Sequence, residues 1–347
     1  MNPYILYTIM MSLGLGTTIT FASSHWFLAW VGLEINTLAI MPLMAQHHHP
    51  RAVEATTKYF ITQAAGAALL LFSTTMNMWI LGNNLITSPL HPILSATTVL
   101  ALGLKMGLAP MHFWLPEVMQ GLTLVTGLIL STWQKLAPMI LMYQLTINNS
   151  PTITTLGLLS ILTGGWGGLN QTQLRKILAY SSIAHMGWMM IILNYAKHLT
   201  MLNLMIYIML TTTFFMSLNM MSATKINKLA MTWAKSPTLT TIILLTMLSL
   251  AGLPPLTGFM PKWLILQELS KQAMMFTATI AAIAALLSLY FYLRVCYTVT
   301  LTTSPSTNNA KTPWRLKQTK SSLPLSFMAI MATTLLPVAP MMTVLTI

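Results

Sequence analysis

The chain has 347 residues, of which 55% are hydrophobic and only 6% are charged. Apolar runs of about 18 residues recur along its length, a pattern typical of a polytopic membrane protein. The formal net charge of +13 does not indicate a nucleic-acid-binding protein, because the Lys and Arg residues are scattered in short connections and form no basic face.

Hydropathy predicts eleven membrane-spanning helices, each near the ~20 residues that cross ~30 Å of hydrocarbon. The fold class is therefore all-α, and the ninth span is long and interrupted. The predicted spans cover residues 3–22, 25–45, 57–82, 92–111, 122–145, 152–169, 177–194, 199–222, 238–269, 273–298 and 323–345. The first begins at the N-terminus, where neither a secretory signal nor a transit peptide is recognisable.

The basic residues between these spans fall almost entirely on one side of the membrane. This bias places the N-terminus on the positive side, cytoplasm-like or matrix, and the C-terminus on the opposite side. The longest connection, 299–322, is interpreted as a surface loop. Two residues, Lys197 and Lys271, lie on the other side, against eleven on the positive side: Arg51, Lys58, Arg175, Lys176, Lys225, Lys228, Lys235, Lys311, Arg315, Lys317 and Lys320.

Four charged residues lie inside predicted spans: Glu34, Lys105, Lys135 and Lys262. A charge at bilayer depth costs roughly 2.5 to 3.5 kcal/mol on insertion scales, so each is a candidate functional residue. The alternative to a functional role is a structural one. Each lysine would then bind a carbonyl or a lipid headgroup as an anchor, and Glu34 would form a structural ion pair. The pattern favours a protein that moves protons or cations.

Two spans contain helix breaks. Pro110 and Pro116 follow Lys105 in the fourth span, and Pro254, Pro255 and Pro261 interrupt the ninth. Each proline removes a backbone donor and frees carbonyls that only protein or water can satisfy at that depth. Because the two spans are five apart, they cross the membrane in opposite directions. Such paired breaks indicate an inverted-repeat transporter, although simple packing kinks are the alternative.

Long motifs around these breaks resemble a known family. The strings are LKMGLAPMHFWLPE (104–117), GLPPLTGFMPKW (252–263), NQTQLRK (170–176) and AYSSIAHMGW (179–188). They are similar to the antiporter-like subunits of respiratory complex I over essentially the whole chain. Bacterial members have fourteen spans, so this chain reads as though the first three were absent. The resemblance then implies one transmembrane domain, 1–347, with inverted five-helix repeats at roughly 1–145 and 152–298 and a final helix at 323–345.

The resemblance also implies a function. It predicts a proton-translocating subunit of the membrane arm, in the mitochondrial inner membrane, with a buried path through Glu34, Lys105, Lys135 and Lys262. In the family a glutamate at the position of Glu34 modulates the neighbouring lysine. The expected partners are other membrane-arm subunits and membrane lipids, with no nucleic acid. Two alternatives remain open: a structural subunit without its own proton path, and a free-standing cation/proton antiporter.

No cofactor is expected in this chain. The single cysteine, Cys296, excludes an internal disulfide and any cysteine-ligated iron–sulfur cluster or structural zinc site. The resemblance likewise places NADH, flavin and quinone outside the chain. Redox energy must then arrive through neighbouring subunits.

Position along the chain refines the roles of the lysines. Lys105 and Lys135 are separated by a half-helix, a loop and another half-helix, so both can reach one depth on adjacent antiparallel helices. Burial disfavours the ammonium form of lysine, so a nearby charge can load or unload its proton. Lys262 follows Pro261 at the start of a half-helix, where the positive end of the dipole also disfavours an ammonium.

The histidines, Arg294 and a glycine-rich segment have structural interpretations beside any functional one. His112 and His185 either pass protons between lysines or make interhelical hydrogen bonds, and the sequence does not separate these readings. Residues 47–49, three consecutive histidines, do not match zinc-site spacing and indicate a solvated loop. Arg294 is predicted to extend to the membrane surface. Residues 164–168, rich in glycine, indicate close helix packing and not a phosphate loop.

Overall fold

The computed structural model describes residues 2–46, 49–145, 151–234, 236–302 and 323–338. Throughout these ranges the regular structure is helical and no β-strand is present, which confirms the all-α prediction. The helices are α1 (Pro3–Ala22), α2 (Trp26–Met44), α3 (Pro50–Leu81), α4 (Pro92–Met106), α5 (Trp114–Gly121), α6 (Leu124–Ser131), α7 (Trp133–Gln144), α8 (Pro151–Gly168), α9 (Leu174–Leu193), α10 (Lys197–Met221), α11 (Ile226–Met231), α12 (Pro237–Ala251), α13 (Phe259–Lys271), α14 (Met275–Leu301) and α15 (Leu323–Thr334).

Each of the eleven predicted spans overlaps at least one of these helices, and the end of the last span, 339–345, lies outside the described residues. Seven helical segments in the described ranges are long and apolar enough to cross a membrane, and three shorter apolar helices accompany them, namely α4, α12 and α15. Both α4 and α12 are the first halves of the predicted broken spans. The protein is thus a polytopic membrane protein with two proline-broken helices.

The start of α3 differs from the prediction. Hydropathy places it at residue 57, but the helix begins at Pro50 because its polar first turns are stabilised locally. The Nδ1 atom of His49 accepts the Arg51 N–H at 3.2 Å, which satisfies one otherwise unpaired helical donor. Lys58 forms an ion pair with Glu54 one turn earlier, at 2.7 Å.

The chain divides into two compact units, Met1–Ser160 and Ile161–Ile347, and α8 contains the boundary. In the first unit α1 and α2 make a close contact through Gly16 and Gly32. A Cβ atom added to Gly32 would lie 2.9 Å from the carbonyl oxygen of Gly16, so the two backbones approach at a distance that only glycine allows. Small residues commonly serve this purpose between membrane helices.

In the second unit α9 is almost entirely buried. The glycine-rich end of α8 packs directly on it. A Cβ atom added to Gly164 would lie 2.7 Å from the Ala184 backbone nitrogen, and one added to Gly167 would meet the ring of Tyr180. These glycines therefore serve close helix packing, as the sequence indicates.

Each unit contains one of the predicted breaks. The first half-helix ends in each case at a glycine in the left-handed region, Gly107 with φ +79° and Gly252 with φ +83°. A cis peptide bond follows, Ala109–Pro110 in the first break and Pro254–Pro255 in the second. The second half-helices begin at Trp114 and Phe259.

A third interruption was not predicted. The fifth predicted span is two helices, α6 and α7, separated at Thr132. There the Lys135 N–H bonds to the Thr132 carbonyl at 3.3 Å, three residues back, which is the tighter 3₁₀ pattern. Continuous hydropathy across this point conceals the interruption, which lies one turn before Lys135.

Candidate functional site

Lys105 and Lys135 lie around one small internal cavity in the first unit. Both are buried, with 6% and 3% of their surface exposed. The structure therefore brings these two predicted residues together. The cavity has about 10 Å³ of room for water centres, close to what a single water molecule requires.

Lys105 occupies the last turn of α4, directly before the break. Gly66 of α3 makes room for its stem, since a Cβ atom there would lie 3.3 Å from Lys105 Cγ. Its Nζ atom is buried and donates no hydrogen bond to any residue that the structure describes. The carbonyl of Leu104 is meanwhile satisfied by the Trp114 indole N–H at 3.1 Å.

Glu34 reaches the same cavity indirectly. It is partly buried on α2, and its Oε2 atom accepts a hydrogen bond from the Thr37 hydroxyl at 3.0 Å. Thr37 lines the cavity. No direct ion pair joins Glu34 and Lys105 within the described part of the chain, where the ion pairs join Lys58 to Glu54 and Glu117, and Lys271 to Glu268. The contact that a structural ion pair requires is therefore missing between these two side chains.

The other three acidic residues have direct basic partners. Lys58 Nζ lies 2.7 Å from carboxylate oxygens of both Glu54 and Glu117. Glu268 pairs with Lys271 at 3.3 Å. Glu34 is therefore the one acidic side chain without such a partner among the described residues.

Lys262 lies in the second unit, in the first turn of α13. Its Nζ atom donates to the carbonyls of Leu250 at 3.3 Å and Ala251 at 2.8 Å, at the C-terminal end of α12. The sequence predicts that burial and the positive dipole end of α13 disfavour the ammonium. The negative end of α12 also faces the ammonium and favours it, which that prediction did not include. Lys262 also makes the carbonyl contact that the anchor alternative predicts.

Hydroxyl groups close the second break. Ser249 Oγ lies 3.1 Å from Thr257 Oγ1 and accepts the Gly258 N–H at 3.2 Å. Thr257 donates in turn to the carbonyl of Ala332 in α15. These bonds satisfy polar groups that the prolines leave without helical partners, so the loop that precedes Lys262 is held in a defined geometry.

The two candidate relay histidines are buried in different units. His112 follows the first break, with Nδ1 3.3 Å from the Pro110 carbonyl oxygen and its ring stacked on Phe113. His185 lies on α9, with its ring centroid 5.6 Å from that of Tyr207. The sequence alternatives of proton relay and interhelical hydrogen bonding both remain compatible with these positions.

Three neutral amides were missed by the sequence analysis, namely Asn36, Gln63 and Gln134, which all line the cavity. Gln134 Nε2 donates to the Asn36 carbonyl at 3.1 Å, which ties α7 to α2 beside Lys135. The available signal was a polar amide inside an apolar span.

The remaining candidates have structural roles. His49 caps α3, while His47 and His48 lie outside the described residues. Arg294 donates to the carbonyl of Leu169 and to Asn170 Oδ1, so contacts within the second unit fix its guanidinium. No group of three potential metal-ligating side chains occurs among the residues with described positions.

Comparison with known proteins agrees with this architecture. Residues 23–288 match the family described as NADH:quinone oxidoreductase/Mrp antiporter, transmembrane. Residues 289–343 match the NADH dehydrogenase subunit 2 C-terminus. The NADH-ubiquinone oxidoreductase chain 2 of Formosania lacustris is 65% identical over 341 residues, 98% of each chain. That of Danio rerio is 63% identical over 347 residues, 100% of each chain.

Solved structures share the fold. A chain of respiratory complex I from Thermus thermophilus is 25% identical with a TM-score of 0.84, covering 100% of this chain and 78% of that one. A chain of the Mrp complex from a Dietzia species, 14% identical, gives a TM-score of 0.85 and covers 97% of this chain and 76% of that one. The protein therefore belongs to the NADH:quinone oxidoreductase/Mrp antiporter family, within its NADH dehydrogenase subunit 2 branch.

Proposed function

We propose that this chain is a membrane-arm subunit of the proton-pumping NADH–ubiquinone oxidoreductase and that protons pass through Glu34, Lys105, Lys135 and Lys262. The observation that carries the proposal is the pair of buried lysines around one water-sized cavity, with Glu34 linked to it through Thr37. A structural subunit gains nothing from placing two buried ammonium groups so close together, because each charge is costly at this depth.

The cavity geometry makes proton occupancy at the two lysines interdependent. Like charges repel strongly where water is scarce, so a proton on Lys135 disfavours one on Lys105. The carboxylate of Glu34 opposes this effect at Lys105 by attraction. A change in charge near Glu34 or near Lys135 therefore moves a proton between the two lysines. Such a transfer is the basic step of a coupled pump.

Lys262 differs in how it holds its proton. The carbonyls of Leu250 and Ala251 bind the ammonium directly. A neutral amine still donates a hydrogen bond to a carbonyl. Loss of the proton therefore weakens the contact but leaves the amine hydrogen-bonded. In this proposal Lys262 is a loading site in the second unit, and His112 and His185 are the candidate relays.

The chain is a multi-pass inner-membrane protein. We place the N-terminus on the matrix side and the C-terminus on the intermembrane-space side, following the distribution of basic residues. The chain carries no redox cofactor of its own in this proposal. Energy from NADH oxidation reaches it through other membrane-arm subunits, as a change in charge or conformation.

The test is proton pumping by the assembled complex in sealed vesicles. Lys105→Met and Lys135→Met remove the proton-carrying groups and should each slow NADH-driven proton pumping by roughly 100-fold, the scale of losing a positioned acid–base group. Lys228→Met, at an exposed lysine of the second unit, is the matched control and should pump normally.

The two alternatives predict other results. If both buried-lysine variants pump like the control, the chain has a structural role and the proposal fails. If the isolated chain in vesicles exchanges cations for protons without NADH, the antiporter alternative is correct.

A further inference from the structure

The hydroxyl of Thr257 makes a hydrogen bond unlike those of most other hydroxyls in the chain. Ser and Thr side chains in the helices usually bond a carbonyl three or four residues back, as Thr246 does to the carbonyl of Ile243 at 2.9 Å. Thr257 instead donates to the carbonyl of Ala332, 75 residues ahead. Both residues are buried. The bond therefore joins the loop of the second break to the C-terminal helix α15.

Ala332 offers an acceptor because it lies in the last turn of α15. A helix leaves its last four carbonyls without an N–H partner of its own, and an unpaired carbonyl is costly inside a membrane protein. The hydroxyl of Thr257 satisfies one of them. Ala332 lies in the part that matches the subunit 2 C-terminus, whereas Thr257 lies in the part that matches the wider family. The bond thus connects the shared region to the branch-specific one.

The direction of the hydrogen bonds around Thr257 follows from the protons available. Thr257 has a single O–H proton, which it gives to the Ala332 carbonyl, since a carbonyl only accepts. In the 3.1 Å contact between Thr257 Oγ1 and Ser249 Oγ, Ser249 is therefore the donor. Ser249 Oγ in turn accepts the Gly258 N–H at 3.2 Å. These three bonds form a directed hydroxyl chain from Gly258 through Ser249 and Thr257 to Ala332.

The hydroxyl chain ends beside Lys262. Gly258 directly precedes α13, and a Cβ atom there would lie 1.8 Å from the Ser249 carbonyl oxygen, so the start of α13 packs against the end of α12. Lys262 lies in the first turn of α13 and donates to the carbonyls of Leu250 and Ala251 in α12. The distance from the Lys262 amine to these carbonyls therefore depends on where α13 begins, which the hydroxyl chain sets.

We propose that Thr257 is a positioning residue that couples the C-terminal helix α15 to the amine of Lys262. A displacement of α15 moves the Ala332 carbonyl, and the hydroxyl chain transmits the movement to the start of α13. The contact between Lys262 and the α12 carbonyls then changes. The effect of this coupling on pumping rests on the proposed function, because it requires that Lys262 take up and release a proton.

The first experiment tests the coupling itself. Thr257→Val keeps the side-chain shape but leaves the Ala332 carbonyl and the Ser249 O–H without partners. Ser249 then turns to a carbonyl of its own helix, the usual partner of a helical serine, and releases the Gly258 N–H. In a structure of the assembled variant complex, Lys262 Nζ should lie more than about 3.5 Å from the Ala251 carbonyl oxygen, against 2.8 Å here. A contact unchanged from the wild-type complex overturns the proposal.

The second experiment tests the effect on pumping. Thr257→Val should slow NADH-driven proton pumping in vesicles several-fold at equal amounts of assembled complex. Thr257→Ser keeps the hydroxyl and should pump at close to the wild-type rate. Ser249→Ala interrupts the hydroxyl chain at its other side chain and should act like Thr257→Val, so the proposal stays testable if one variant does not assemble.

The matched control is Thr246→Val. Thr246 is also a buried threonine, on α12, but its hydroxyl bonds within its own helix. This variant should pump normally. If Thr257→Ser is as slow as Thr257→Val, the hydroxyl is not what matters at this position, and the proposal is overturned.

The outcomes separate this proposal from the proposed function. If Thr257→Val loses the lysine contact but pumps like Thr246→Val while Lys262→Met does not pump, the role of Thr257 in pumping is overturned and the proposed function stands. If Lys262→Met pumps normally, the proposed function fails at Lys262. The position of the Lys262 amine in the Thr257→Val structure then decides the coupling alone.

Discussion

The two broken helices use the same backbone device to place their lysines in opposite surroundings. Both first halves end at a glycine with φ near +80°, Gly107 and Gly252. Lys105 precedes its break, and its amine is buried beside a cavity with no hydrogen-bond partner among the described residues. Lys262 follows its break, and its amine is bound to two carbonyls.

This difference shows that a broken helix can control a lysine within a membrane span in two ways. In the proposed function, the charge state of Lys105 at the first break depends on other side chains, above all Glu34 and Lys135. At the second break it depends on the backbone, because the carbonyl end of α12 favours the ammonium. The first lysine should therefore respond to changes in neighbouring charge, and the second to changes in backbone geometry.

The largest effect is expected at Lys262, where two variants distinguish a fixed positive charge from a group that transfers a proton. Lys262→Met should reduce coupled proton pumping in vesicles by roughly 100-fold. Lys262→Arg restores the positive charge and donors for the Leu250 and Ala251 carbonyls, but arginine stays protonated at accessible pH. It should therefore not restore pumping. Full rescue by Arg would mean that a fixed charge suffices, and Lys262 would then be the carbonyl anchor that the sequence left as an alternative.

A smaller effect is expected at Glu34, which acts at the first break, where side chains control the lysine. Glu34→Gln removes the attraction on Lys105 while keeping the side-chain shape, and it should slow NADH-driven pumping about tenfold, equivalent to ~1.4 kcal/mol. Glu117→Gln and Glu268→Gln are the controls, because their carboxylates pair with Lys58 and Lys271 at 2.7 and 3.3 Å. Three equal effects would remove the special role of Glu34.

Much of this architecture follows from the sequence. Hydropathy located the spans, and glycine and proline located both major breaks, because these signals are local. The spacing of Lys105 and Lys135 predicted a common depth, and the structure places both around one cavity. A half-helix, a short connection and a second half-helix leave little freedom in how two such residues meet.

What could not be predicted depends on contacts between elements. The carbonyls that bind Lys262 belong to the half-helix before it, and their direction is set by the geometry of the break. Asn36 and Gln63 lie on different helices, so their shared cavity appears only after packing. The interruption at Thr132 was not predicted, since the Leu124–Gln144 segment as a whole is apolar enough to be read as one span.

The smallest expected effect on pumping, and the sharpest test of the comparison, comes from the two glycines. Gly107→Ala and Gly252→Ala each force a side chain into the left-handed region, at a cost of roughly 1 to 2 kcal/mol. Both should lower the thermal stability of the assembled complex by similar amounts. Gly103→Ala is the control, because Gly103 is helical and an added Cβ atom would meet only ordinary contacts, the nearest at 3.4 Å.

The two variants should then differ in function. At Gly107 the new Cβ atom meets Leu115 Cδ1 at 2.7 Å, whereas at Gly252 it meets Lys262 Nζ at 3.0 Å. Only Gly252→Ala therefore displaces the lysine from its carbonyls, and only that variant should pump fewer protons per NADH at a temperature where both remain folded. Equal pumping by the two variants would show that the carbonyl contact does not control Lys262. The claim that the backbone sets the charge state of this lysine would then be wrong.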